Sequence, residues 1–234
     1  MIRAGDPDHF NIWSHSQHMR ALYRARARDE AEEMTCAAQA ADLVAGMAGN
    51  GASLLDVGCG SGWFFHSLRR RGLALDYWGI DRTAPFIAIG REELPRYGLP
   101  PERLLLGEIE SATGAADLVL CMNVLSNIDN WHRALDRIAA IARRGIILRE
   151  SFGDDAAYAL VTDRFLDPGV ELKVHVNRYA RTEIAAFLAE RGFISRFVTD
   201  IRTGGAAEPV IGYDHHWEFL VARRETPATG NTAS

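Results

Sequence analysis

The run LLDVGCGSG at residues 54–62 limits the possible folds more than any other stretch of this chain. Residues 53–57 are short and apolar, as in a buried strand. Gly58, Gly60 and Gly62 follow at alternate positions, and a helix is predicted from residue 63. Glycine turns tightly and lets a ligand meet the backbone with no Cβ between. The helix behind the turn presents free N–H groups. A strand–turn–helix unit of this kind places a nucleotide-like ligand at the carboxyl ends of parallel strands. The dinucleotide spacing G-x-G-x-x-G wants its last glycine at residue 63 for close helix packing. Trp63 stands there, so the turn is read as a site for a different nucleotide-like ligand.

The rest of the chain supplies the sheet that such a turn needs. Apolar runs at 53–57, 75–80, 103–107, 116–122 and 145–150 alternate with helical patterns at 63–72, 85–97 and 130–143, the last capped by Asp129. Continuous apolar runs separated by helices predict a parallel sheet covered on both faces. Helices are expected at 17–33 and at 35–47, with Thr35 as N-cap, and again at 182–191. Two further strands are expected at 193–201 and 215–222, joined by a long loop. Residues 1–16 read as an arm, 151–180 lack periodicity, and the tail 224–234 has a disordered composition. One domain over 1–234 accounts for this length, with 1–48 as an N-terminal helical cover and 151–180 as a variable insertion.

Composition excludes several classes. The 26 basic and 31 acidic residues give a net charge of −5, which argues against a nucleic-acid partner. Cys36, Cys59 and Cys121 include no CxxC pair, so neither a disulfide framework nor a metal site is expected. His9, His15 and His18 lack metal-ligand spacing. No apolar stretch reaches membrane-spanning length and the N-terminus lacks a signal-peptide pattern, so a cytoplasmic protein is expected.

The segment LLDVGCGSG, with Asp56 ahead of its G-x-G-x-G, resembles motif I of the class I S-adenosylmethionine (SAM)-dependent methyltransferases. Asp81 ends the next strand in GID, LLLGEIE ends the third strand, and ADLVLCMNVLSNI resembles the fourth. The order of elements over residues 50–150 fits that family, and the two last strands fit its terminal hairpin. The resemblance implies a Rossmann-like, seven-stranded, mostly parallel sheet with an antiparallel last strand and helices on both faces. It implies SAM as cofactor and S-adenosyl-L-homocysteine as product. Asp56, Gly58, Cys59, Gly60 and Gly62 would line the turn. Asp81 and Arg82 would sit at the ribose, Glu108 and Ile109 at the adenine, and Asn123 beside the methyl group.

The acceptor side carries candidates rather than a motif. The loop after residue 201 and the start of the last strand fall on the sheet's active edge, so His215 and His216 are candidates for a catalytic base, with one facing inward. Glu150, His175, Arg178 and Tyr213 are candidates for contact with a substrate. Tyr23, Arg24 and Arg26 would reach the cofactor only if the first helix folds over the site; Asp29, Glu30, Glu32 and Glu33 offer them surface partners instead. The expected activity is methyl transfer to an O, N or C nucleophile of a small molecule, in a biosynthetic setting. The alternatives are an RNA or protein methyltransferase and a non-catalytic SAM binder.

Overall fold

The computed structural model describes residues 11–49 and 51–225; His9, the first part of the arm and the tail from 226 lie outside the described residues. Its strands are β1 (Ser53–Val57), β2 (Asp76–Asp81), β3 (Leu104–Leu106), β4 (Ala116–Met122), β5 (Ala142–Gly153), β6 (Leu160–Thr162), β7 (Lys173–His175), β8 (Tyr179–Ala180), β9 (Phe193–Thr199), β10 (Glu208–Val210), β11 (Tyr213–His215) and β12 (Trp217–Arg224). Its helices are α1 (Gln17–Ala27), α2 (Thr35–Ala45), α3 (Phe64–Arg70), α4 (Ala84–Glu93), α5 (Trp131–Ile141) and α6 (Arg181–Ala189).

The main sheet runs β3-β2-β1-β4-β5-β12-β9, and the two-residue β8 pairs with the far end of β5 as an eighth strand. Strands β1 to β5 pair in parallel, while β12 lies antiparallel to both β5 and β9. The continuous apolar runs follow from burial on both faces. Along β4, Leu118 and Leu120 pack with the α2 and α3 layer, where Val44, Phe64 and Leu68 lie. Val119 and Cys121 pack with Leu135, Ile138, Ile184 and Leu188 of the α5 and α6 layer. In α5 the buried Trp131, Ala134, Leu135, Ile138 and Ala139 recur at helical spacing, which fixes the face that it turns to the sheet.

Several local expectations are corrected. α1 ends at Ala27 instead of continuing to 33, because Asp29 adopts a left-handed φ of 60°. Met34, not Thr35, occupies the N-cap position of α2, with no side-chain bond. Asn130, not Asp129, caps α5, accepting from His132 N; Asp129 pairs with Arg133. The patternless insertion contains the antiparallel pair β6–β7, and the loop before residue 215 contains the hairpin β10–β11. The strand expected at 215–222 is broken at His216, which separates β11 from β12.

A third apolar cluster forms a roof over the carboxyl edge of the sheet. It joins Ile12 to Val174 and Val176, with Trp13, Val161, Leu166, Leu172 and Ile211 packed around them. Three distant segments therefore meet there. Asp167 ties two of them together: it accepts from Gln17 N at 2.7 Å and from Arg20 at 3.2 Å, and its own N–H donates to His15 O. Among the described residues no helix is long and apolar enough to cross a membrane.

Candidate active site

The glycine turn leaves β1 and is clamped to its neighbour: the N–H groups of Gly58 and Cys59 both donate to Ile80 O of β2. Gly58 and Gly60 have φ of 71° and 58°, a region in which a side chain is strained. Both are also closely approached. A Cβ on Gly58 would come within 2.1 Å of Val124 Cγ2, and one on Gly60 within 2.1 Å of Tyr23 Cε1. The turn is thus bare backbone bounded by the loop after β4 on one side and by α1 on the other.

Asp81 stands at the end of β2, next to this turn. Its Oδ2 accepts from Gly60 N at 2.8 Å and its Oδ1 from Thr83 N at 2.7 Å. Burial pushes its pKa up, while those backbone donors pull it down. A carboxylate has about four lone-pair sites, so it keeps acceptor capacity for a diol. Asp56 lies beneath the turn, buried, and accepts from Tyr77 Oη at 2.7 Å. Burial pushes its pKa to about 7, against the opposing bond from Tyr77. A carboxyl raised in the folded state favours stability below its ordinary range near pH 4, and that contribution is lost as pH rises through about 7. The urea midpoint of the wild type, compared with that of Asp56→Asn, should fall between pH 4 and 7; a constant difference between the two proteins would contradict this.

Beyond β3, Glu108 pairs with Arg82 at 3.5 Å, both half-exposed, and Ile109 is buried in the core beside Ile80. Cys59 is buried, and desolvation pushes its thiol pKa well up. Asn123 follows β4 with a left-handed φ of 57°. Its N–H donates to Arg149 O and its Oδ1 accepts from Arg149 Nη1 at 2.6 Å. The structure thus gathers Asp56, Gly58, Cys59, Gly60, Gly62 and Asp81 at one turn, with Arg82, Glu108, Ile109 and Asn123 on the flanking loops.

α1 does fold over the site, contrary to the surface pairing expected for it. The Tyr23 ring stacks on Phe86 at 4.0 Å, and Ser61 Oγ donates to Tyr23 O. Arg24 reaches Glu92 and Glu93 of α4 rather than the acids that follow its own helix. The Arg26 guanidinium lies over the Tyr23 and Trp63 rings. Burial raises the Tyr23 pKa to about 12. Asn11 Nδ2 donates to Thr83 Oγ1 at 3.0 Å, so the arm also touches the loop after β2.

The acceptor-side candidates separate. Glu150 is fully buried, and its carboxylate accepts from the N–H groups of Val124, Leu125 and Ser126 at 2.8, 2.9 and 3.0 Å. It faces the protein interior, so the expected substrate contact is corrected to a bracing role. Arg178 packs its stem on Gly153 and donates to Asp155 O. His175 sits half-buried in β7 of the roof, and Tyr213 is exposed at the start of β11. His216 is half-buried and donates its backbone N–H to Ser151 Oγ. His215 is buried and stacks on Trp217 at 4.7 Å.

Sequence reasoning marks Arg149, at the end of the fifth strand, as a weaker candidate for substrate contact but overlooks the acid that pairs with it. Asp200, just past β9, is fully buried and accepts from Arg149 Nε at 2.6 Å. The Arg149 guanidinium also lies over the Trp217 ring. The available signal was an acid directly after a strand that ends on the active edge. Among the described residues no group of three or more His, Cys, Asp or Glu is placed to hold a metal ion.

Residues 26–194 match a protein family described as methyltransferase domain, and the chain belongs to that family. Its fold is that of the class I SAM-dependent methyltransferases. Solved structures similar to it include magnesium protoporphyrin IX methyltransferase from Synechocystis PCC 6803 with bound SAM, at 17% identity and TM-score 0.60, covering 96% of this chain and 100% of that one. Another is an amino pentose methyltransferase from Micromonospora echinaspora, at 21% identity and TM-score 0.58, covering 89% and 97%. Among curated proteins, the chain is 32% identical over 98 residues to a ubiquinone biosynthesis O-methyltransferase of Azoarcus sp. (strain BH72), covering 41% of each chain. It is 33% identical over 84 residues to the mitochondrial protein of that name from Saccharomyces cerevisiae, covering 33% of this chain and 25% of that one. The matched stretches therefore span less than half the length of these curated relatives.

Proposed function

We propose that this chain transfers the methyl group of SAM to a small molecule enclosed beneath the roof. The observation that carries this reading is the closure of the active edge by segments outside the main sheet. The arm, α1, the β6–β7 insertion and the β10–β11 hairpin meet over it through the Ile12–Val174–Ile211 cluster and the Asp167 bonds. Such covers admit a compact acceptor and keep water from the reacting groups. The proteins it resembles include a ubiquinone biosynthesis O-methyltransferase and an amino pentose methyltransferase, which supports the same reading.

The residues present fit SAM. Gly58 and Gly60 leave backbone without a Cβ for the methionine portion, Gly62 lets the turn pack closely on Leu94 and Leu104, and Asp56 and Cys59 lie behind them. Asp81 retains acceptor capacity for the ribose diol, with Arg82 beside it. Glu108 and Ile109 offer a carboxylate and an apolar wall for the adenine, and Asn123 borders the reacting edge. When bound, SAM supplies a methyl group already activated by a positive sulfur. The protein's own work is alignment, for which about 7–11 kcal/mol is the upper limit. Arg149 fixes Asn123, Glu150 fixes the turn after it, and the roof excludes water.

Calorimetric titration with S-adenosylhomocysteine tests the cofactor site. Binding is expected, and Asp81→Ala should weaken it about 10- to 100-fold, the range for lost charge-assisted bonds of about 1.5–3 kcal/mol. Consumption of SAM with RNA or protein, and with no small molecule, would overturn the proposed acceptor class.

A further inference from the structure

A buried imidazole with neither nitrogen bonded is costly. His215 is 4% exposed, and both Nδ1 and Nε2 lack a hydrogen-bond partner. A buried polar group left in this state loses its hydration and gains no bond in return, so its presence needs a reason. A carboxylate stands close by without satisfying it. Glu208 is paired with His215 across the β10–β11 hairpin, yet Glu208 Oε2 accepts from Trp217 Nε1 at 2.6 Å and from Arg202. The ring is held instead by stacking, nearly parallel to Trp217 with an interplanar angle of 12°.

Its place in the fold gives those nitrogens a use. Trp217 pairs with Ser151 at the active end of β5. The Arg149 guanidinium lies over the Trp217 ring and bonds to Asn123, which borders the glycine turn. His215, Trp217, Arg149 and Asn123 therefore form one chain of contacts from the roof hairpin to the reacting edge. Ile211, in the turn of the same hairpin, is packed into the roof cluster, so the hairpin belongs to the roof.

From this geometry we infer that His215 is the catalytic base and that the acceptor is a hydroxyl-bearing small molecule. The inference rests on the methyl-transfer reading above. The acceptor oxygen donates an electron pair to the methyl carbon, the carbon–sulfur bond breaks with its electrons going to sulfur, and the O–H proton passes to a His215 ring nitrogen and then to solvent. A nucleophile that attacks with a bare lone pair needs no such acceptor. Burial lowers the His215 pKa, while the nearby carboxylates of Glu208 and Asp214 oppose it. The ring is thus neutral near neutral pH and able to take a proton.

His215→Phe discriminates this role from packing, because it keeps a stacking ring and removes both orphan nitrogens. A packing role predicts equal or greater stability with turnover retained. The proposed role predicts stability and S-adenosylhomocysteine affinity retained, with methylation of the probes catechol and phenol falling about a hundredfold or more. The acidic limb of the wild-type pH–rate profile should vanish with it. Nitrogen NMR of the His215 ring gives a second readout: catechol added to the S-adenosylhomocysteine complex should shift one ring nitrogen. Retained turnover in His215→Phe, an unresponsive ring, or methylation of aniline or thiophenol but not of the phenols would each overturn the proposal. Failure of the wild type to bind S-adenosylhomocysteine would instead overturn the cofactor reading beneath it.

Discussion

Asp200→Ala is expected to cost the fold about 3–5 kcal/mol, the usual penalty for removing one partner of a buried ion pair. Asp200 is fully buried and Arg149 is 2% exposed. The carboxylate accepts from Arg149 Nε and, through Oδ1, from Arg202 N at 2.7 Å. Without it the guanidinium keeps Asn123 Oδ1 and the face of Trp217, neither of which carries a compensating charge. Urea denaturation measures the loss, and a change below about 1 kcal/mol would show that the pair is not the closed unit described here. The paired replacement Arg149→Met with Asp200→Leu should recover much of the stability, since apolar substitutes for a buried pair are often neutral or better. It should not recover methyl transfer, because nothing then holds the Asn123 side chain. That split separates what the pair does for the fold from what it does for the site.

The sheet was legible in the sequence because its central strands are buried on both faces, and SLLDV or ADLVLC can be little else. The glycine turn and Asp81 were legible because each residue type is dictated by position: backbone without Cβ at the turn, a carboxylate at the neighbouring strand end. The roof was not legible. Ile12, Val174 and Ile211 meet only in three dimensions, and β6, β7, β10 and β11 are each three residues long, too short for a period to show. The end of α1 was hidden for a related reason. The charge-rich stretch after Ala27 reads as helix, but partners outside it decide otherwise: His66 bonds to Ala27 O, and Arg28 reaches Glu93 of α4. Glu150 could have been placed correctly. In β5 it shares a face with Leu148 and Phe152, both in the core, and alternation along a strand then points it inward.

That inward carboxylate underlies the second large effect. Glu150→Ala is expected to destabilise the protein by about 3 kcal/mol or more, because three backbone N–H groups lose their acceptor together. The donors are consecutive, Val124 to Ser126, and they form the turn that follows Asn123. The carbonyls of the same turn are held from the other side: Asn177 N donates to Ser126 O, Asn177 Nδ2 to Ile128 O, and Tyr179 Oη to Leu125 O. With Glu150 gone, one side of this clamp remains and the turn has no fixed position. Val124 sits against bare backbone at Gly58, so the shift should reach the cofactor turn. Glu150→Gln keeps one oxygen, able to serve Val124 and Leu125, but turns an amide N–H₂ toward Ser126 N. It should fall between wild type and alanine in urea midpoint and in S-adenosylhomocysteine affinity. If Glu150→Ala left both unchanged, the carboxylate would be dispensable to the turn. If it lowered affinity with stability intact, Glu150 would act on the ligand and not through the loop.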